Sequence, residues 1–495
     1  MKSLFQALLF LYLITFHHLA SAASPPKNPF LADSPWPMSH QGPYAQGSSD
    51  WPGPTANQNL TNDYMPGLPV SITLGYTSSK YGQPAEFWGS SLFTIFNGEA
   101  RDSGIHRNLF VGKPMAQNAL SGAYIVVDKD DAAFIPVGDT SMGKFVHHKA
   151  PFLWWTTSQI NKVKELAIPS AYINGSNDYI VGVNMTYDGH LIVVTANGVV
   201  CSTDRNLNSF DCINLPDNQE ISNSIAVDEE GGIYIVSNKY MNRIQWTGSS
   251  LSTHSSDGAW QANYETGPEQ PLPGRLGTGS GSTPSLMGNQ GEDQFVVVTD
   301  GQELAHLVLF WRSDIPADWQ PIAPGKDRRI AAEVPIKFGN PSATSSVSEQ
   351  SVLVRDHSAM VVSNDYAFSS SWLPGLLQYT TVFFSNVGPN APYGVERFSW
   401  DKNTRTVKSD WATKEISCPN GIPTMSAATQ LAYCIGQRGG KWTLEGINWQ
   451  TGASAFHYKL GLLPINNSFY AATQIGADGD IITGTFGGVV RIRQR

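Results

Sequence analysis

Beyond the first seventy residues the chain alternates between short, very apolar runs and turns of Asp, Gly, Asn and Ser, with no long stretch of helical apolar spacing. One module recurs: a small-residue start, a strand, an Asp or Gly turn, and a second, more apolar strand. It is clearest at Ile180 to Val194 around Asp188-Gly189, at Asn223 to Val236 around Asp228 and Gly231, and at Ala471 to Thr483 around Asp478-Gly479. Weaker copies run from Ala123 to Ile135, Thr283 to Val298, Ser351 to Val362 and Thr424 to Ile435, which makes seven. Their spacing of roughly 40 to 75 residues suits four-stranded blades joined by variable loops. The pattern predicts an all-β chain folded as a single β-propeller of six to eight blades, seven favoured, and residues 71–120 or 375–400 are the places for a further degenerate copy. Each Asp-Gly turn reads as hairpin chemistry, because those residues accept the positive φ angles that tight turns need. Calcium ligation at Asp478-Gly479-Asp480 is the other reading.

The first residues do not join this pattern. Lys2, an apolar run from Leu4 to Phe16 and then Ala20-Ser21-Ala22 predict a cleaved signal peptide over 1–22, too short to span a bilayer. Residues 23–70, rich in Pro, Gly, Ser and Asn around Trp36 and Trp51, predict an extended arm lying on the propeller of residues 71–495. Secretion follows as an expectation, and it changes the reading of two residue types. Asn59, Asn174, Asn184 and Asn466 each open an N-glycosylation sequon. The four cysteines fall into two close pairs, Cys201 with Cys212 and Cys418 with Cys434, and these local pairings are the favoured ones of three possible.

Charge and missing motifs remove several classes. A formal charge of -9 argues against a binder of nucleic-acid backbone. The chain has no Gly-x-Ser-x-Gly elbow, no helical His pair and no Cys-His cluster, and the run from Gly277 to Pro284 lacks the Lys of a phosphate loop. The densest collection of chemistry is Phe145 to Trp155, with His147, His148, Lys149, Trp154 and Trp155; alternation along a strand lets about half of it share one cavity. His147 and His148 are the candidate catalytic groups, and Trp88, Trp154, Trp155, Trp372 and Tyr379 the candidate substrate walls. No metal ligand set is predicted.

Two stretches, Ile447 to Phe456 with Thr451-Gly452, and Trp400-Asp401-Lys402-Asn403-Thr404-Arg405 followed by Trp411, resemble the repeat of quinoprotein-like propellers, with Asn448 for its Asp, Phe456 for its Trp and Arg405 for its Gly. Ser34 to His40 is similar to the opening of such domains. The adjacent-cysteine pair typical of quinone-dependent alcohol dehydrogenases is missing here. The global layout, with Pro151-Phe152-Leu153-Trp154-Trp155, resembles fungal hetero-Diels-Alderases of tropolonic sesquiterpenoid pathways. That resemblance implies a cofactor-free cycloaddition between a quinone methide and an apolar terpene. The expected function is therefore a secreted enzyme of specialised metabolism, without cofactor, acting on an apolar or aromatic small molecule in an aromatic-lined cavity. Two other readings stay open: a propeller oxidoreductase or lactonase dependent on calcium or pyrroloquinoline quinone, and a non-catalytic binding propeller with an exposed apolar face.

Overall fold

The computed structural model describes residues 24–67, 73–77, 85–91, 94–101, 104–112, 124–148, 159–268, 275, 277–368 and 380–495. Eight antiparallel sheets of at least four strands follow one another along the chain. Blades 1 to 7 span 73–112, 126–167, 180–214, 226–263, 285–335, 353–413 and 424–461, and blade 8 is built from 473–494 with Leu60–Pro66 as its outer strand. The count is therefore eight, not the favoured seven. All seven sequence modules are the inner hairpins of blades 2 to 8, and the missing one is blade 1, inside 71–120. Residues 375–400 instead hold part of a long connection inside blade 6 and the start of its third strand, Val395–Asp401.

The strands are where they are because their apolar positions have two faces to bury. Leu191–Thr195, Gly232–Val236 and Phe295–Thr299 are buried at every position, as second strands sandwiched between neighbouring blades must be. The apolar core is accordingly divided among clusters that each bridge adjacent blades, such as Val194, Ile233 and Trp246 between blades 3 and 4, or Phe295, Trp311 and Trp400 between blades 5 and 6. The turns behave as hairpin chemistry: Gly189, Gly231 and Gly479 have φ of 91°, 82° and 74°. At the last of these, Arg491 Nε lies 2.5 Å from Asp480 Oδ2 and its Nη2 3.4 Å from Asp478 Oδ2. A guanidinium thus holds the carboxylates that the calcium reading required.

The arm does more than lie on the surface. Its carbonyls accept backbone N–H groups from the innermost strands in blade order: Trp36 from Tyr76 (2.7 Å), Pro37 from Val127 (2.9 Å), Pro43 from Val227 (2.8 Å), Tyr44 from Leu286 (2.8 Å), Gln46 from Val354 (2.8 Å) and Gly47 from Met425 (3.1 Å). Ser48–Ser49 then pair in parallel with blade 7. Asn184 Nδ2 of blade 3 fills the gap in this series, donating to Pro43 O at 3.1 Å. The arm therefore lines one end of the axial channel as an inner ring, and its last part, Leu60–Pro66, is not arm at all but the strand that closes blade 8. Joining the two ends of a propeller in one sheet removes the open edges that a linear stack of blades would leave.

Both local disulfides form. Cys201 and Cys212 face each other in register across two strands of blade 3, and Cys418 ties the link between blades 6 and 7 to Cys434. Their sequence separations of 11 and 16 residues predict a loss of roughly 2–3 kcal/mol for each pair replaced by Ala. Equilibrium denaturation of the Cys201→Ala/Cys212→Ala protein measures it, and an unchanged midpoint would remove that stabilising role. No helix among the described residues is long and apolar enough to cross a membrane.

Candidate functional site

The innermost strands of blades 2, 4, 5 and 6 are each preceded by a polar residue, Tyr124, Asn223, Thr283 and Ser351, and these reach one another across the ring. His40, carried by the arm, stands at their centre: its Nε2 lies 3.2 Å from Thr283 Oγ1 and 3.5 Å from Ser351 Oγ, and its ring is 5.6 Å from that of Tyr124. Asn223 Oδ1 accepts from Thr283 Oγ1 at 3.1 Å and from the Tyr124 hydroxyl, while its Nδ2 donates to Gly281 O. Residues from opposite sides of an eight-bladed ring can meet only on its axis, so this is an axial site. The arm closes it from one side; on the other, Tyr124 is partly exposed.

The electrostatics are those of a neutral site. Burial holds the His40 imidazole down at about 4, so it is uncharged near pH 7. Burial likewise raises the Tyr124 phenol to about 12, against an opposing hydrogen bond from Thr283, which keeps it a proton donor. Glu349, buried beside Gly281, is paired with Arg275, whose Nη1 is 3.1 Å from Glu349 Oε1. Calcium wants six or more oxygens with carboxylates among them, and the carboxylates of pyrroloquinoline quinone want cations. The axial cluster offers an imidazole, a phenol, an amide and hydroxyls, which fits neither group. A second set, Asp300, His306 and Glu333, has ligand atoms within 4.8 Å of one another. There Asp300 Oδ2 is 3.0 Å from His306 Nδ1, Gln302 Nε2 donates to Asp300 and Glu333, and Lys326 Nζ is 2.7 Å from Glu333 Oε2. An ammonium and an amide already satisfy these carboxylates.

Of the predicted site residues, Trp88 and His147 have described side chains. Trp88 is fully buried in the wall between blades 1 and 2 with Phe145 and Ile160, so it packs rather than lines a cavity. His147 faces blade 1 beside that wall; its Nδ1 lies 3.3 Å from Glu86 Oε1, and its buried Nε2 has no hydrogen-bond partner among the described residues. His148 ends its strand, but its side chain, like Trp154, Trp155, Trp372 and Tyr379, lies outside the described residues. The described residues flanking those segments lie on opposite faces of the propeller: His148 and Gln159 on the arm side, Phe368 and Thr380 on the other. Asn184 is a further correction. It is fully buried and its Nδ2, the atom a glycan would take, donates to Pro43 O and Ile225 O. Asn466 is also buried at 9% exposure, whereas Asn59 and Asn174 are exposed. His40 was missed because nothing local marks it; its signal, a lone histidine in a Pro- and Gly-rich arm, gains meaning only once the arm enters the channel.

No family model matches the sequence. An uncharacterized protein of Archaeoglobus fulgidus is 40% identical over 479 residues, which cover 95% of this chain and 89% of that protein. The chain belongs to its family. Family membership carries the fold across nearly the whole length of both proteins and brings no activity with it. Among solved structures, quinohemoprotein alcohol dehydrogenase from Comamonas testosteroni is similar with a TM-score of 0.54 and 12% identity, covering 96% of this chain and 81% of that one. The C-terminal WD40 domain of Sif2 aligns with a TM-score of 0.49 and 8% identity over 88% of this chain and 99% of that domain. The likeness to the dehydrogenase bears on the propeller fold alone.

Proposed function

We propose that this chain is a cofactor-free enzyme that promotes the cyclisation or hetero-Diels-Alder cycloaddition of uncharged, largely apolar small molecules at the axial cluster. The observation that supports it is the neutral set of buried His40, Asn223 and Thr283 around the partly exposed Tyr124. A cycloaddition of a quinone methide with an alkene redistributes π electrons into two new σ bonds and releases nothing, so it needs no base, nucleophile or leaving-group acid. What accelerates it is orientation, together with a hydrogen bond to the carbonyl oxygen that lowers the acceptor orbital. Tyr124 is the donor in this reading: its proton, given to Asn223 Oδ1 in the resting site, turns to the substrate carbonyl. His40 and Thr283 hold the phenol and exclude charge.

The test is product formation from a quinone-methide precursor and an alkene, followed by chiral chromatography. Tyr124→Phe is expected to lower the catalysed rate by about 10²-fold, as loss of one oriented donor does, with an unchanged melting temperature. Equal rates in both proteins would remove the assignment. A second reading, a binding propeller, is favoured by Phe384, Val387, Leu462 and Leu463, exposed at 54%, 53%, 61% and 61% on the face away from the arm and linked through Asn386. Secretion belongs to the same proposal. Protein from a eukaryotic secretory host should carry glycan on Asn59 and Asn174 and none on Asn184, which glycopeptide mass spectrometry reads directly; glycan on Asn184 would mean that it is modified before the arm docks.

A further inference from the structure

Between blades 3 and 4, on the face away from the arm, a cavity of ≈ 250 Å³ is walled by Tyr179, Asn197, Glu220, Ile221, Asn238 and the loop 277–280. The Ser222 hydroxyl, donating to Ser280 O at 3.1 Å, separates it from the axial cluster. The loop comes this close because position 279 is glycine: a Cβ there would sit 2.6 Å from Asn238 Cα and 2.8 Å from Ser237 O. The backbone of the walls is already spent, with Ile221 N donating to Ala196 O (2.8 Å), Asn238 N to Glu220 O (2.9 Å) and Glu220 N to Asn238 Oδ1 (2.9 Å). What remains is two acceptors, the Glu220 carboxylate and Asn197 Oδ1; one donor, Asn238 Nδ2; and the Thr278 hydroxyl, none with a partner among the described residues.

Two acceptors, a donor and a hydroxyl arranged with a tyrosine and Ile221 match a molecule whose edge bears hydroxyls and whose face bears C–H groups. Among the described residues no Lys or Arg lines the cavity, which disfavours an anionic ligand. Its volume is below the roughly 300–1,000 Å³ of drug-sized sites, which suits a single ring. We infer that this cavity is a binding site for a neutral hexopyranose. A second observation lies at its rim. The exposed sequon residue Asn174 donates through Nδ2 to Asn197 O at 3.2 Å, and Asn197 Nδ2 returns a bond to Asn174 O at 2.5 Å. A glycan on Asn174 would start beside the cavity, so the sugar can come from the chain itself or from solution.

Saturation-transfer NMR on the full chain, with N-acetylglucosamine and glucose as probes and choline as a cationic control, tests the site. The Asn174→Gln protein should bind a sugar in the millimolar range usual for one ring, about 4 kcal/mol of binding. Glu220→Ala and Thr278→Val should each weaken it at least about tenfold at an unchanged melting temperature. Glycosylated wild type that binds free sugar only after glycosidase treatment identifies the Asn174 glycan as occupant, whereas equal binding before and after identifies a free ligand. No transfer to either sugar in Asn174→Gln, transfer indifferent to both substitutions, or transfer to choline alone would overturn the assignment.

Discussion

Trp36→Ala is expected to cost about 3–5 kcal/mol in urea unfolding, the range for removing a fully enclosed indole, while Trp51→Ala should change stability by under about 0.5 kcal/mol. The two tryptophans sit fifteen residues apart in the same Pro- and Gly-rich arm and differ only in what the fold does with them. Trp36 is 1% exposed, belongs to the cluster that joins blades 7, 8 and 1, and its carbonyl accepts from Tyr76 N of blade 1; Trp51 is 39% exposed. Burying the indole in that cluster fixes the arm beside the bond it makes to blade 1. Without the side chain the arm loses an apolar anchor at the start of the series of bonds that runs from Tyr76 round to Met425, and with it a residue that sets their register. A Trp36→Ala protein that unfolds at the wild-type midpoint would mean the arm is an ornament on a self-sufficient ring.

That contrast shows what a sequence can and cannot display here. Hairpins with Asp-Gly turns are local, so seven of the eight inner hairpins were legible. Blade 1 was not, because the sequence between its first two strands, from Thr77 to Pro84, reads Thr-Ser-Ser-Lys-Tyr-Gly-Gln-Pro and carries no such signal. The disulfides were legible for the same local reason. Site residues were not, because a propeller brings chemistry together across its axis. His40 is 84 residues from Tyr124, 243 from Thr283 and 311 from Ser351 in sequence, and each of them alone looks like an ordinary loop residue. Conversely, Trp88 and His147 form a conspicuous aromatic and titratable group whose purpose is to fill a wall between blades. The Asn184 sequon fails by the same logic: the motif says nothing of burial, and the arm claims the amide nitrogen.

The axial histidine gives the second large effect, and its sign is fixed by the direction of its shift. An unfolded imidazole takes up a proton below about pH 6.5, while the folded one resists until about pH 4. Above 6.5 both are neutral and His40 contributes no pH dependence. Between 6.5 and 4 the unfolded state binds the extra proton, so stability is lost steadily as pH falls, by about 3 kcal/mol over the window; below 4 the loss is complete and constant. His40→Gln, which keeps a hydrogen-bonding amide and cannot titrate, should flatten that limb relative to wild type. Among the groups around it, the Tyr124 phenol stays protonated through the window and Thr283, Ser351 and Asn223 do not titrate, so the difference between the two curves isolates the imidazole. Parallel curves for the two proteins across pH 4 to 6.5 would mean that His40 protonates in the folded channel. The same neutral imidazole predicts that ligand binding to the axial site holds level as pH falls and drops only near pH 4, after most of the stability has gone. An activity profile falling near pH 6.5 instead would mean that a charge enters the site earlier than its burial permits, and with it the argument for an uncharged substrate would fail.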